Sequence, residues 1–150
     1  MNPFSGILST QRSIGPLLLR LGLAVVFFPH GAQNVLGWFG GGGLAATTGF
    51  LHSSLHIPIL LAHAAIWTEL LAPLALCAGF CTRLAAFALG TTMAVAALMV
   101  HLPHGFFMNW FGTQAGEGFE FHLLAISGCL CLLFTGGGSL SIDHRVSGEL

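Results

Sequence analysis

Lysine and tyrosine are absent from this chain, and charged side chains make up only 6% of its 150 residues. Water-soluble domains carry roughly 25% charged residues. At 55% hydrophobic residues, that shortage excludes an ordinary soluble domain and points to a bilayer. Basic runs are missing as well. Nucleic-acid binding rests on many contacts from Lys and Arg to phosphate, and four arginines in a chain of net charge -1 leave no such footprint.

Metal and thiol motifs are equally scarce. No HExxH and no CxxC…CxxC spacing occurs, and no flavin, haem-attachment or iron–sulfur motif is present, so electrons for any redox step must come from a partner or a bound metal. Cys77, Cys81, Cys129 and Cys131 lie within apolar stretches, which reads as small buried residues rather than a disulfide framework. Cys129 and Cys131, two apart, point in different directions on a helix. The tract Gly40 to Gly43 lacks a strand-to-helix phosphate motif and reads as a flexible connection.

What the chain does have is long apolar runs. A spanning helix needs about 20 mostly apolar residues, and four segments qualify, at about 15–36, 58–79, 83–102 and 118–136. The first lacks a small-x-small cleavage site and reads as a retained span. Gly79 to Arg83 is short enough only for a tight antiparallel turn, while the other two connections are long and rich in glycine or aromatics. Residues 44–55 read as a short helix at the membrane surface. The expected fold is all-α: an integral-membrane four-helix bundle forming one domain over 1–150. Arg12, Arg83 and Arg145 then share a side with both termini, and the positive-inside rule makes that side cytoplasmic. Trp38 and Trp110 fall near the outer interface. Met93 and Met99, in an alanine-rich third span, read as close helix packing.

Charges inside such a frame demand an explanation. An ionised side chain in hydrocarbon costs at least about 2.5–3.5 kcal/mol, so Arg20 and Glu69 need partners or a function. With the outer helix ends placed near Gly31 and Pro58, each lies eleven positions inward, a depth of ~16 Å that permits an ion pair. That pair reads either as a structural lock or as part of a substrate or proton path. Histidine is the second anomaly. Of eight, seven map to the outer half, including His30, His63, His101, His104 and His122. His101 and His104 are three apart, as are Glu117 and Glu120. An imidazole- and carboxylate-rich mouth suits hydrogen bonding to a quinone carbonyl, proton relay or metal binding. His30, His63 and His104 are the expected cofactor-binding residues, with a quinone as the first reading of the cofactor and a transition metal as the second. Glu120, Ser127 and Cys131 fall on one stripe of the fourth helix, and a polar stripe in a span normally faces protein.

Several pieces carry a resemblance. They are Leu19-Arg20-Leu21-Gly22 with Phe28-Pro29-His30-Gly31, Glu69-Leu70, Leu76-Cys77-Ala78-Gly79-Phe80-Cys81-Thr82-Arg83, Met99-Val100-His101 with Gly105-Phe106-Phe107, Gly118-Phe119-Glu120-Phe121, and the closing Gly136 to Asp143. In this order they resemble the DoxX family of small four-helix membrane proteins, relatives of the DoxD subunit of thiosulfate:quinone oxidoreductase. The resemblance implies a bundle with its termini inside, a role in electron transfer or redox defence, and Arg20, Glu69, His101 and Glu120 as the polar core, the expected catalytic set. Two positions depart from the family. Asn34 stands where a lysine is common, and Phe121 where an aromatic hydroxyl is common.

The leading expectation is therefore a quinone-linked oxidoreductase component of a bacterial inner membrane. The alternative is a non-catalytic structural or assembly subunit of a larger membrane redox complex. Solute transport ranks lower, since no inverted repeat is visible. Expected partners are the lipid bilayer, a redox partner subunit and a second copy in a homodimer.

Overall fold

Serine begins the first helix. In the computed structural model, which describes residues 13–147, the Ser13 hydroxyl accepts the Gly15 amide and opens α1, Ile14–Leu36. Gly37, at φ 71°, closes it in the left-handed conformation. A single turn at Trp38–Gly40 leads to α2, Gly43–Gly49, which widens into Phe50–Ser54, so a short helix does occupy most of the 44–55 stretch. α3, Ile59–Ala78, ends at Gly79 with φ 65°, and a three-residue turn reverses the chain into α4, Thr82–Ala96. α4 continues through a wide turn, Ala97–His101, and a tight one, Leu102–His104. After the 105–119 connection come α5, Glu120–Thr135, and α6, Ile142–Val146. Among the described residues there is no strand.

α1, α3 and the Thr82–His104 stretch are long and apolar enough to cross a membrane. α5 is apolar but has sixteen residues, ~24 Å of helix against a hydrocarbon core of about 30 Å. The fourth segment is thus shorter than the expected 118–136. α1 packs on α3, α3 on α4 and α4 on α5, while α5 and α1 meet along a shorter seam. The core is small and central, built on Phe27, Leu76, Ala86, Leu89 and Leu132. Large apolar residues such as Leu60, Val25 and Phe134 point outward, as in a protein solvated by lipid.

Several inward assignments need correction. Cys129 is buried, but Cys77 and Cys131 face outward and Cys81 is half-buried. Met93 is in the core, whereas Met99 is exposed. Ser127, expected on a protein-facing stripe, is exposed together with Cys131. Its hydroxyl donates to the Leu123 carbonyl at 2.8 Å, which satisfies it within its own helix and lets it face lipid.

One end of the molecule is tied tightly. The Ser139 amide donates to Ser13 O at 2.9 Å, and both Asp143 carboxylate oxygens accept from the start of α4, the Cys81 amide at 2.7 Å and the Thr82 amide at 2.8 Å. A helix is thereby capped by a residue 61 positions away. Arg20, Arg83 and Arg145 all belong to this end. Arg12, counted with them above, lies outside the described residues.

Candidate functional site

Arg20 does not meet Glu69. Its guanidinium, 1% exposed, donates to Gly137 O at 3.0 Å, Leu76 O at 2.9 Å, Cys77 O at 2.5 Å, Leu140 O at 2.9 Å and Ser139 O at 3.4 Å. The positive fork closes on the carbonyl end of α3 and on the loop before α6, where helix carbonyls lack intrahelical partners. Glu69 sits elsewhere. The stretch of α1 facing it is Gly31, whose absent side chain lets the Glu69 backbone approach. Eleven residues, ~16 Å of helix, separate Gly31 from Arg20. The equal depth expected from sequence fails because the outer helix ends are not level: Gly31, five residues inside the end of α1 at Leu36, faces Glu69, ten residues inside the start of α3 at Ile59.

Glu69 instead has a neutral partner: Asn34 Nδ2 donates to its Oε2 at 2.5 Å. Phe27, His30 and Asn34 are spaced three and four apart on α1 and share a face. That face and Glu69 form one wall of a cavity of about 380 Å³. Met93, Ala96 and His101 of α4 form the second wall, Phe121 and His122 of α5 the third, and Met108 and Glu117 of the 105–119 connection cover the end.

The two histidines are stacked, with ring centroids 4.0 Å apart and planes at 36°. His101 Nδ1 lies 2.8 Å from the Glu117 carbonyl oxygen. A carbonyl only accepts, so Nδ1 holds the hydrogen and Nε2 of the neutral ring is the acceptor. His101 ends the wide turn Ala97–His101, which re-aims its ring away from a regular α-helical direction. His122 is 7% exposed, and its Nδ1 is buried without a hydrogen-bond partner. Leaving such a nitrogen unpaired costs about 1–3 kcal/mol, so a side chain lining the cavity has an unmet polar requirement.

The other expected residues separate. Glu120 Oε1 accepts the Met108 amide at 2.8 Å, and Glu117 Oε2 accepts the Asn109 amide at 2.6 Å, so both carboxylates hold the 105–119 connection in shape. His104 packs against Gly116 in that connection and does not line the cavity. His63 is half-buried on α3 and does not line the cavity. His30 and Glu69 do line it. Sequence reading passes over Asn34 and His122 as site residues. The signal for Asn34 is its i+4 spacing from His30, and for His122 it is a lone imidazole at the start of an otherwise apolar helix. Among the described residues, no group of three or more His, Cys, Asp or Glu is placed to hold a metal ion.

No curated protein matches the chain, and no solved structure does. The DoxX family model matches residues 15–102. That range takes in His30, Asn34, Glu69 and His101 and stops short of Glu117 and His122. With more than half of its length matched and its helices apolar enough for a bilayer, the chain is a membrane protein belonging to the DoxX family.

Proposed function

We propose that this chain is a quinone-linked oxidoreductase component of a bacterial inner membrane and that the 380 Å³ cavity receives the quinone head. The observation that carries the reading is the orphaned, buried Nδ1 of His122 beside the stacked ring of His101. A quinone ring presents two carbonyl oxygens, which need donors, and its reduced form presents two hydroxyls, which need acceptors. A neutral imidazole provides one of each. With hydrogen on Nδ1 and its ring turned toward the cavity that it lines, His122 donates to a quinone oxygen, and His101 Nε2 accepts from a quinol hydroxyl. Glu69, oriented by Asn34, holds a proton for the same exchange.

Two electrons and two protons convert quinone to quinol. The protons pass through these side chains, and the electrons come from a redox partner subunit. Arg20 and Glu120 then act as structural residues, through the carbonyls of one end and the 105–119 connection of the other.

In this reading four segments cross the bilayer, with α5 reaching across it by means of its flanking turns, and both termini are cytoplasmic. The support is the distribution of charge. Arg20, Arg83 and Arg145 cluster at the end opposite the cavity, and neither 37–58 nor 105–119 contains a Lys or Arg. The quinone head thus lies in the outer half.

Protein in nanodiscs titrated with short-tailed ubiquinone or menaquinone analogues tests this. Saturable binding is expected, weakened about tenfold by His122→Phe and by Glu69→Gln, from loss of one buried hydrogen bond each. Absence of saturable binding to the wild type overturns the proposal. The assembly-subunit reading draws its support from the aromatic tip of 105–119, where Trp110 is 80% and Phe111 91% exposed. A stoichiometric partner lost on Trp110→Ala, together with no quinone binding, favours it.

A further inference from the structure

A second hollow opens on the lipid side where α1 and α5 diverge. It holds about 570 Å³ and is lined by Leu19, Gly22 and Val26 of α1 and by Leu124 and Gly128 of α5. Ser127 also lines it, with its hydroxyl already bonded to the Leu123 carbonyl, so no polar group there asks for a partner. The groove and the polar cavity share two lining residues, Phe27 and Phe121. Their rings are tilted against each other with centroids 5.8 Å apart. On the cavity side the same rings touch imidazoles, Phe27 with His30 at 6.4 Å and Phe121 with His122 at 5.6 Å. The same two aromatic rings therefore stand between the groove and the hydrogen-bonding groups.

We infer that this groove seats the isoprenoid tail of the molecule whose head occupies the polar cavity, and that the Phe27–Phe121 pair is the door between lipid and site. The inference rests on the quinone-head reading of that cavity. Continuity chooses the occupant. The groove follows α1 from Leu18 to Phe27 for ~14 Å and ends on the two rings that also line the polar cavity. One molecule with a polar head and an apolar tail fills both hollows, whereas a helix from a second copy would cover the groove alone. A molecule dissolved in the bilayer can thus slide head first past Phe121, which is only partly buried, without crossing the 105–119 connection.

Gly22 and Gly128 give the test. A Cβ on Gly22 meets nothing within 4 Å, and one on Gly128 reaches only Leu19 and Leu23 side-chain atoms at 3.4 Å or more, so larger residues there fill the groove without disturbing backbone. Gly22→Leu and Gly128→Phe, with Leu60→Phe on an exposed face as the control, are assayed in nanodiscs. The probes are a tail-less benzoquinone and the same ring bearing a two-isoprene tail. The wild type is expected to favour the tailed probe. The two groove variants lose about tenfold affinity for it, the scale expected from roughly two buried CH₂ groups, and keep tail-less binding within about twofold. Leu60→Phe changes neither.

Unchanged tailed binding in both groove variants, or equal loss of both probes in both, overturns the groove assignment while tail-less binding upholds the head cavity. Failure of the wild type to bind either probe overturns the quinone reading and this inference with it. A change in particle mass in the groove variants, with tailed binding intact, makes the groove an interface between copies and also overturns it.

Discussion

Gly31 lies directly against the backbone at Glu69: a Cβ on it would clash with the Glu69 carbonyl oxygen and come within 2.5 Å of the Leu70 Cα. α1 and α3 therefore approach closely beside the one carboxylate that lines the cavity from α3. Helix separation at this point and the position of Glu69 are one variable. Gly31→Val is expected to force the helices apart, at a cost of about 1–3 kcal/mol or more. Thermal unfolding in detergent should show a large fall in Tm, and quinone binding should fall with it. A Tm equal to that of the wild type would show that the helices do not touch there.

Arg20→Lys tests the carbonyl cage. Lysine keeps the charge but replaces a planar five-donor fork with a compact ammonium that cannot reach Gly137 O, Leu76 O and Leu140 O together. The expected loss is on the order of 2–4 kcal/mol. Quinone affinity of the protein that remains folded should be unchanged, because the cavity lies at the other end. Lost affinity with unchanged stability would instead make Arg20 part of the site.

Glu120→Ala is expected to free the Met108 amide. Removing a charge-assisted bond worth about 1.5–3 kcal/mol should raise hydrogen exchange at Met108 at least tenfold, while the centre of α5 stays protected. Exchange unchanged at Met108 would mean that the 105–119 connection is held by its other bonds alone.

The turn between α3 and α4 yields a pH dependence. Burial pushes the Cys81 thiol above the usual thiol range, and the Asp143 carboxylate pushes it the same way. A thiolate beside a carboxylate is disfavoured, so removing that charge lowers the pH at which the thiolate forms. Asp143→Asn should move the alkylation profile of Cys81, followed by peptide mass spectrometry, toward lower pH. The profile should remain above that of an ordinary thiol, because burial is the larger cause. A shift toward higher pH would contradict the geometry.

The membrane setting and the helical segments are legible in this sequence because they depend on properties that add along the chain: apolar length, absent charge, and glycines at Gly37 and Gly79 where helices stop. The register between helices is not additive. Gly31 reads as the outer end of the first helix in the depth count, yet it is an interior residue whose missing side chain serves a neighbour. That accounts for about half of the eleven-residue offset between Arg20 and Glu69, and the unequal outer ends of α1 and α3 account for the rest. The outward faces of Cys77, Cys131 and Ser127 escape detection for a related reason. Lipid tolerates a thiol or a self-bonded hydroxyl, so polarity does not reveal direction. His122 is visible as a residue but not as an orphan, since only the packed structure shows which atoms lack partners.

Arg20 binds carbonyls as many as 120 positions further along the chain. During synthesis those acceptors do not yet exist when the first helix meets the bilayer. Until they do, the guanidinium must find its hydrogen-bond partners in water or headgroups, which favours a first helix with that end near the membrane surface. Formation of the 136–141 loop then replaces water with peptide oxygen, so a later-made segment locks an earlier-made one in place.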